Sequence, residues 1–179
     1  VVVVTQTTGV VALGLCAAPE ERNGHAAAPD MNLVENALMT AKKRLSLLKN
    51  GFIDWPRSRA FAQEVIASFD VRTPSPETAA RALSGGNLQK FVIGREISQN
   101  PRVLVINQPT WGVDAAAAAA IRQAVLDLAS SGSAVLVISQ DLEEVLEITD
   151  RFAALNEGTL SQAVPTSGLT MEKIGLMLG

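Results

Sequence analysis

Residues 83–90 read Leu83-Ser84-Gly85-Gly86-Asn87-Leu88-Gln89-Lys90, a stretch with the makings of a phosphate-binding helix start. Ser84 suits the N-cap, where a side-chain oxygen accepts from an amide of the first turn, and Gly85 and Gly86 let backbone come close to a ligand. Leu88, Phe91 and Val92 then recur at helical spacing, so a helix begins here. Its first turn, residues 84 to 87, presents N–H groups without intrahelical partners and the positive end of the helix dipole, and both favour an anion such as a nucleotide phosphate. Ser-Gly-Gly alone fits an ordinary capped helix equally well; the residues downstream decide between the two.

The chain of 179 residues is long enough for one domain with a real core. Its net charge of −3 and its lack of a basic block argue against a nucleic-acid surface. Cys16 is the single cysteine; it can form no intramolecular disulfide, which favours a reducing compartment, the cytoplasm. The first residues are apolar but broken by Thr5-Gln6-Thr7-Thr8, with no basic residue before Arg22. That pattern fits neither a signal peptide nor a spanning helix, which needs about 20 apolar residues. It reads as one or two buried strands, and the Val1 start reads as that of a fragment.

Residues 19–31 mix charge, Pro and Gly and form a loop in which His25 is solvated or locally hydrogen-bonded. Asn32 caps a helix carrying Leu33, Asn36, Ala37 and Leu38, and a second helix is expected over Arg57 to Phe69. Residues 51–56, GFIDWP, form the turn between them, with Pro56 at the first helical position. The segment 71–82, with Pro74 and Pro76, is a linker to the Ser84 turn. The helix from that turn runs to about Gln99, where Asn100-Pro101 ends it. Val103 to Ile106 and Ala134 to Ile138 read as buried parallel strands. Asp114 opens a helix whose Ile121, Val125 and Leu128 share one face. Ser139-Gln140-Asp141 caps the next helix, a strand pair over Arg151–Leu155 and Thr159–Leu160 turns at 156–158, and Met171 to Leu178 is helical.

Four features stand in a fixed order: LSGGNLQK at a helix start, the strand VLVI ending in a polar pair, the turn PTWGVD, and the strand VLVIS ending in QD. In that order, over about residues 16 to 160, the chain resembles the nucleotide-binding subunit of an ABC transporter. It looks in particular like the ATPase of bacterial sugar and nucleoside importers, which carries two cassettes in one chain, and here like the C-terminal part of the second. The resemblance implies an α/β, P-loop NTPase-like fold: a partial parallel sheet with flanking helices and a helical subdomain. It divides the chain into a strand region with a Q-loop-like segment (1–31), a helical subdomain (32–82), the C-terminal part of the ATPase core (83–165) and a tail (166–179).

The resemblance also implies roles for individual residues. Ser84, Gly85, Gly86, Asn87 and Gln89 match the signature motif, which in the family reaches across a dimer interface to the γ-phosphate of ATP held by the partner cassette. Asn107 and Gln108 stand where the family has Asp-Glu, the first serving Mg²⁺ and the second polarising water. An amide cannot accept a proton at neutral pH as a carboxylate can, and Asn107 brings no negative charge to a metal. Asp114 matches an interface aspartate, Gln140 the position of a switch histidine, and Glu20 falls near the Q-loop position. No Gly-Lys dipeptide occurs in the chain, so the phosphate-cradling loop is missing from it.

The functional expectation is therefore an ATP-binding subunit of an importer, peripheral on the inner face of the cell membrane. It shares ATP and Mg²⁺ with a partner cassette, docks on permease subunits through its helical subdomain, and meets a substrate-binding protein indirectly. Two alternatives stand beside it. One is a nucleotide-binding and assembly module without activity of its own. The other is a DNA-maintenance ATPase, whose heptad coiled coils and Cys-x-x-Cys hook this sequence lacks.

Overall fold

The apolar run Val103-Leu104-Val105-Ile106 lies in the middle strand of a parallel sheet in a computed structural model that describes residues 14–178. This strand, β4 (Val103–Asn107), sits between β1 (Leu15–Ala18) and β5 (Ala134–Ile138), with Cys16 opposite Leu104 and Ile106 opposite Val137. The rest of the N-terminal strand expectation, on residues 1–13, lies outside the described residues. Alternate strand residues face opposite sides: Leu104 and Ile106 are buried, while Val103 is 37% exposed. Full burial thus holds for one face of β4 only. Among the described residues β5, expected to be buried, pairs with β4 alone, and it exposes Leu136 to 44%. A short apolar run does not distinguish a strand covered on both faces from one covered on a single face.

Among the described residues, the α-helices of the first compact unit, which ends at Ile138, are α1 (Leu33–Ala41), α2 (Trp55–Ser68), α3 (Gly85–Ile97) and α4 (Ala115–Ser130). All residues of α3 from Leu88 to Glu96 are buried, as expected of a helix enclosed by its neighbours. It touches α1, α2 and α4 as well as β1 and β4. α4 buries Ala117, Ile121, Val125 and Leu128 along one stripe, as its spacing predicts. Asn32 caps α1 in a reciprocal box with Glu35, at 2.9 and 2.8 Å.

Two local expectations need correction. The turn expected over 51–56 is centred instead on Asn50-Gly51, whose φ angles of 50° and 84° suit a two-residue hairpin. It joins β2 (Leu48–Lys49) to β3 (Phe52–Ile53), and Asp54 then caps α2, so Pro56 takes the second helical position. The stretch 71–82 is laced to the start of α1 rather than slack: Leu33 N donates to Thr78 O at 3.2 Å and Ala80 N to Met31 O at 2.9 Å. His25 is exposed and meets Glu21 at 2.9 Å, the local partner expected of it.

The second unit begins at Ser139. Asp141 caps α5 (Leu142–Ile148), and two antiparallel strand pairs follow. β6 (Arg151–Phe152) pairs with β9 (Val164–Pro165), and β7 (Leu155–Asn156) with β8 (Thr159–Leu160). The expected single strand over 151–155 is therefore split, and the tight turn is Glu157-Gly158, both at positive φ. α6 (Met171–Leu178) forms as expected, and Val145, Phe152, Ala154 and Ile174 make the core of this unit. No helix among the described residues is long and apolar enough to cross a membrane.

Two consequences are measurable. A Cβ on Gly94 of α3 would lie 2.5 Å from the Phe69 ring at the end of α2, so Gly94→Ala should cost about 1–3 kcal/mol in urea unfolding. Burial first, and then the nearby Glu96 carboxylate, push the Cys16 thiol up from 9.0 to about 12, with Arg44 acting the other way. Below pH 9 the thiol is neutral in both the folded and the unfolded chain. Above it the unfolded chain alone loses the proton, so stability falls as pH rises, by roughly 1.4 kcal/mol per unit. Cys16→Ala should flatten that part of the stability profile.

Candidate functional site

β1 and β4 both run into loops at their carboxyl ends, the edge at which open parallel sheets place ligands. From β1 the chain enters Pro19-Glu20-Glu21-Arg22, and from β4 it enters Gln108 to Val113. The start of α3 meets both loops.

Ser84 has extended backbone, φ −62° and ψ 155°, and caps α3. Its Oγ accepts from the Asn87 amide nitrogen at 3.4 Å and from Asn87 Nδ2 at 3.0 Å. The hydroxyl oxygen thus accepts within the turn, and a serine hydroxyl also carries one O–H donor. Ser84 and Gly85 are exposed, and Gly86 and Asn87 are half-buried. The turn therefore lies on the surface of its unit, with the first-turn amides of Gly85 and Gly86 at the positive end of the helix. Asn87 Oδ1 accepts from Arg72 N at 2.9 Å, so the Asn87 side chain ties the turn to the segment after α2. Lys90 makes a second tie, donating to the Asp70 carbonyl at 2.9 Å.

Gln89, which the sequence reading groups with the nucleotide contacts, is 1% exposed, and its side chain is bonded within the chain. Nε2 donates to the carbonyls of Gln108 and Pro109, both at 2.9 Å, and Oε1 accepts from Arg22 Nε at 2.8 Å. Asn107 closes β4 opposite Ile138, and Gln108 follows it buried in the left-handed region, φ 52°, its N–H bonded to Ile138 O at 2.8 Å. Two neutral amides at this strand end are a poor fit for a magnesium ion, which prefers carboxylate oxygens. Among the described residues no group of three or more His, Cys, Asp or Glu could hold a metal.

Asp114 is exposed and caps α4, its Oδ1 accepting from Ala117 N at 2.9 Å. That bond is the main reason its carboxyl is held below the usual carboxylate range, so it is ionised at neutral pH. The loop before it packs on the Ser84 turn: a Cβ on Gly86 would lie 3.0 Å from the Gly112 carbonyl. Glu20 is exposed and, with Glu21, Arg22, Asn23 and Trp111, lines an open concavity. Gln140 is exposed in the second unit, just before the cap of α5.

Sequence reasoning missed Arg22. Besides Gln89 it binds the Trp111 carbonyl through Nη2 at 2.6 Å. A single Arg after two glutamates in a polar loop carries no periodic or motif signal.

The chain is 38% identical over 165 residues to a glucose import ATP-binding protein of Haloferax volcanii, matching 91% of this chain and 30% of that protein. It is 34% identical over 160 residues to a nucleoside import ATP-binding protein of Lactococcus lactis, 89% of this chain and 32% of that one. With a guanosine import ATP-binding protein of Bacillus subtilis it shares 38% over 162 residues, 89% and 31% of the two lengths. The chain thus spans about a third of the length of the curated relatives it matches. A solved dimeric ATP-binding cassette, in a post-hydrolysis state with ADP and Pi, superposes with a TM-score of 0.74 at 21% identity, covering 90% of this chain and 67% of that one. No family model matches the chain. The fold is that of an ATP-binding cassette, and the sequence is homologous to import ATP-binding proteins for sugars and nucleosides.

Gln89→Leu keeps the side-chain size but leaves the Gln108 and Pro109 carbonyls and Arg22 Nε without their partner. Urea unfolding should show a loss of about 1–3 kcal/mol.

Proposed function

We propose that this chain is part of an ATP-binding subunit energising import of a sugar or nucleoside-like solute, and that its Ser84 turn completes a nucleotide site whose phosphate loop stands on a partner cassette. The observation that carries this reading is the surface position of the turn. Ser84 and Gly85 are exposed at the start of α3, where the hydroxyl and the first-turn amides can donate, in a fold shared with a cassette solved as a dimer. Donors fixed before the reaction stabilise charge that develops on a transferring phosphoryl group without reorganising at that moment. The partner's phosphate loop would hold ATP with Mg²⁺, and the Ser84 hydroxyl and first-turn amides would supply hydrogen-bond donors to the terminal phosphate.

The chain's own strand end is suited to a different role. Gln108 can orient a water molecule but cannot take its proton, and Asn107 adds no charge to a metal site. The site built on this β4 is accordingly degenerate, and the chain by itself does not turn over ATP. Its helical lobe, residues 32–82, docks on permease subunits at the inner membrane face. Phe52, 79% exposed at the hairpin tip, and the exposed Met39 and Trp55 are apolar groups available for that contact. A substrate-binding protein is engaged only through the permease.

The test uses the intact subunit containing this chain, assembled with its permease in vesicles. Ser84→Arg should lower ATP turnover by about 10²-fold or more, on the scale of removing a preorganised donor. Gln108→Asn, which keeps a residue tolerant of the left-handed backbone, should leave turnover within about twofold. Equal and severe losses from both would refute the asymmetric assignment.

A further inference from the structure

We propose that Arg22 is a positioning residue that straps the Ser84 turn to the loop Gln108–Val113, so that the two act as one rigid element. The proposal rests on the reading of the Ser84 turn as part of a nucleotide site. The guanidinium lies between three segments of one compact unit. Nε donates to Gln89 Oε1 at 2.8 Å and Nη2 to the Trp111 carbonyl at 2.6 Å. Gln89 in turn donates to the Gln108 and Pro109 carbonyls. The bonds close a ring: loop 19–23 to α3, α3 to the residues after β4, and those residues back to loop 19–23.

The backbone around the ring is cut to fit the guanidinium. A Cβ on Gly85 would lie 2.8 Å from Arg22 Nη1, and one on Gly112, at φ 69°, would lie 3.3 Å from Nη2. Both glycines leave room for a flat cation, and a side chain at 85 would push it off its two acceptors. The planar fork of arginine can serve an amide oxygen and a carbonyl in divergent directions, whereas a lysine ammonium offers one point of attachment. Gln89 is buried while Trp111 is exposed, so the strap joins the interior of α3 to a loop that lies at the surface.

A strap of this kind acts on turnover rather than on nucleotide affinity. The phosphate loop that binds ATP stands on the partner, and the Ser84 turn contributes at closure, when a small misplacement is costly. In the intact subunit with its permease, Arg22→Lys should lower kcat for ATP about tenfold while KM changes less than about twofold. Gly85→Ala, which displaces the guanidinium without altering loop 19–23, should do the same, and the double variant should be no worse than either single one. The thermal midpoint of each should fall by the same small amount, because both leave the buried Gln89 Oε1 without its donor.

A tenfold rise in KM at unchanged kcat would overturn the proposal, because it would make Arg22 a phosphate contact. Unchanged kinetics in both variants would overturn it too, as would a fall in kcat matched by a lower thermal midpoint in Arg22→Lys with Gly85→Ala unaffected. Ser84→Arg, run in parallel, separates the two levels. If it leaves turnover intact, the nucleotide-site reading itself fails; if it abolishes turnover while the Arg22 variants are neutral, only the strap fails.

Discussion

The buried side-chain amide of Gln89 joins three otherwise separate pieces of chain. Its nitrogen serves two carbonyls just beyond the central strand, and its oxygen receives the Arg22 guanidinium. A buried amide left half-paired costs more than it contributes, so satisfying all three bonds leaves little freedom in where the loops can lie. The Ser84 turn inherits that constraint because it is the first turn of the same helix. Its exposed first turn sits on an element whose opposite side is anchored in the core, which is what the proposed anion site requires.

The same helix is held to the helical lobe by a second buried polar cluster. Arg95 and Glu96, each 2% exposed, pair at 2.7 Å, and Arg95 also donates to the carbonyls of Ala26 and Asn36. Gln99 donates to Glu96 and to Thr40. Replacing such a pair with apolar groups can be neutral or favourable, whereas removing one partner costs about 3–5 kcal/mol. The cluster specifies which loop and which helix end meet α3, and so fixes the lobe against the sheet. Together with the Asn87 and Lys90 ties to residues 70–72, it makes the lobe and the Ser84 turn mechanically continuous within one unit. For a protein proposed to pass work between a nucleotide and a membrane partner, that continuity is the relevant mechanical property.

The chemistry of the site is one-sided. The exposed first turn of α3 offers hydroxyl and amide donors, but the end of the central strand carries two amides where charge would be needed to hold a metal or take a proton. Asp114, ionised and exposed beside the Ser84 turn, is committed to capping its own helix. These features support the proposed role of completing another cassette's site.

Much of this was legible from residue order. Ser84, Asn32, Asp114 and Asp141 are caps because a short polar side chain before an apolar periodic run has one good use, and each caps its helix here. The parallel strands, the stripe on α4 and the family resemblance follow from patterns local in sequence. The hairpin at Asn50-Gly51 was also encoded locally, by a dipeptide suited to two positive φ angles, but the strands it joins are too short to show alternation. What no local pattern contained was the outcome of packing: which side of α3 Gln89 faces, that Arg22 crosses 67 residues of sequence to reach it, and that β5 stays half uncovered. Periodicity reports that a residue is helical or extended. Only the tertiary fold brings distant donors and acceptors within hydrogen-bond range, and so decides whether a polar side chain serves the ligand or the protein itself.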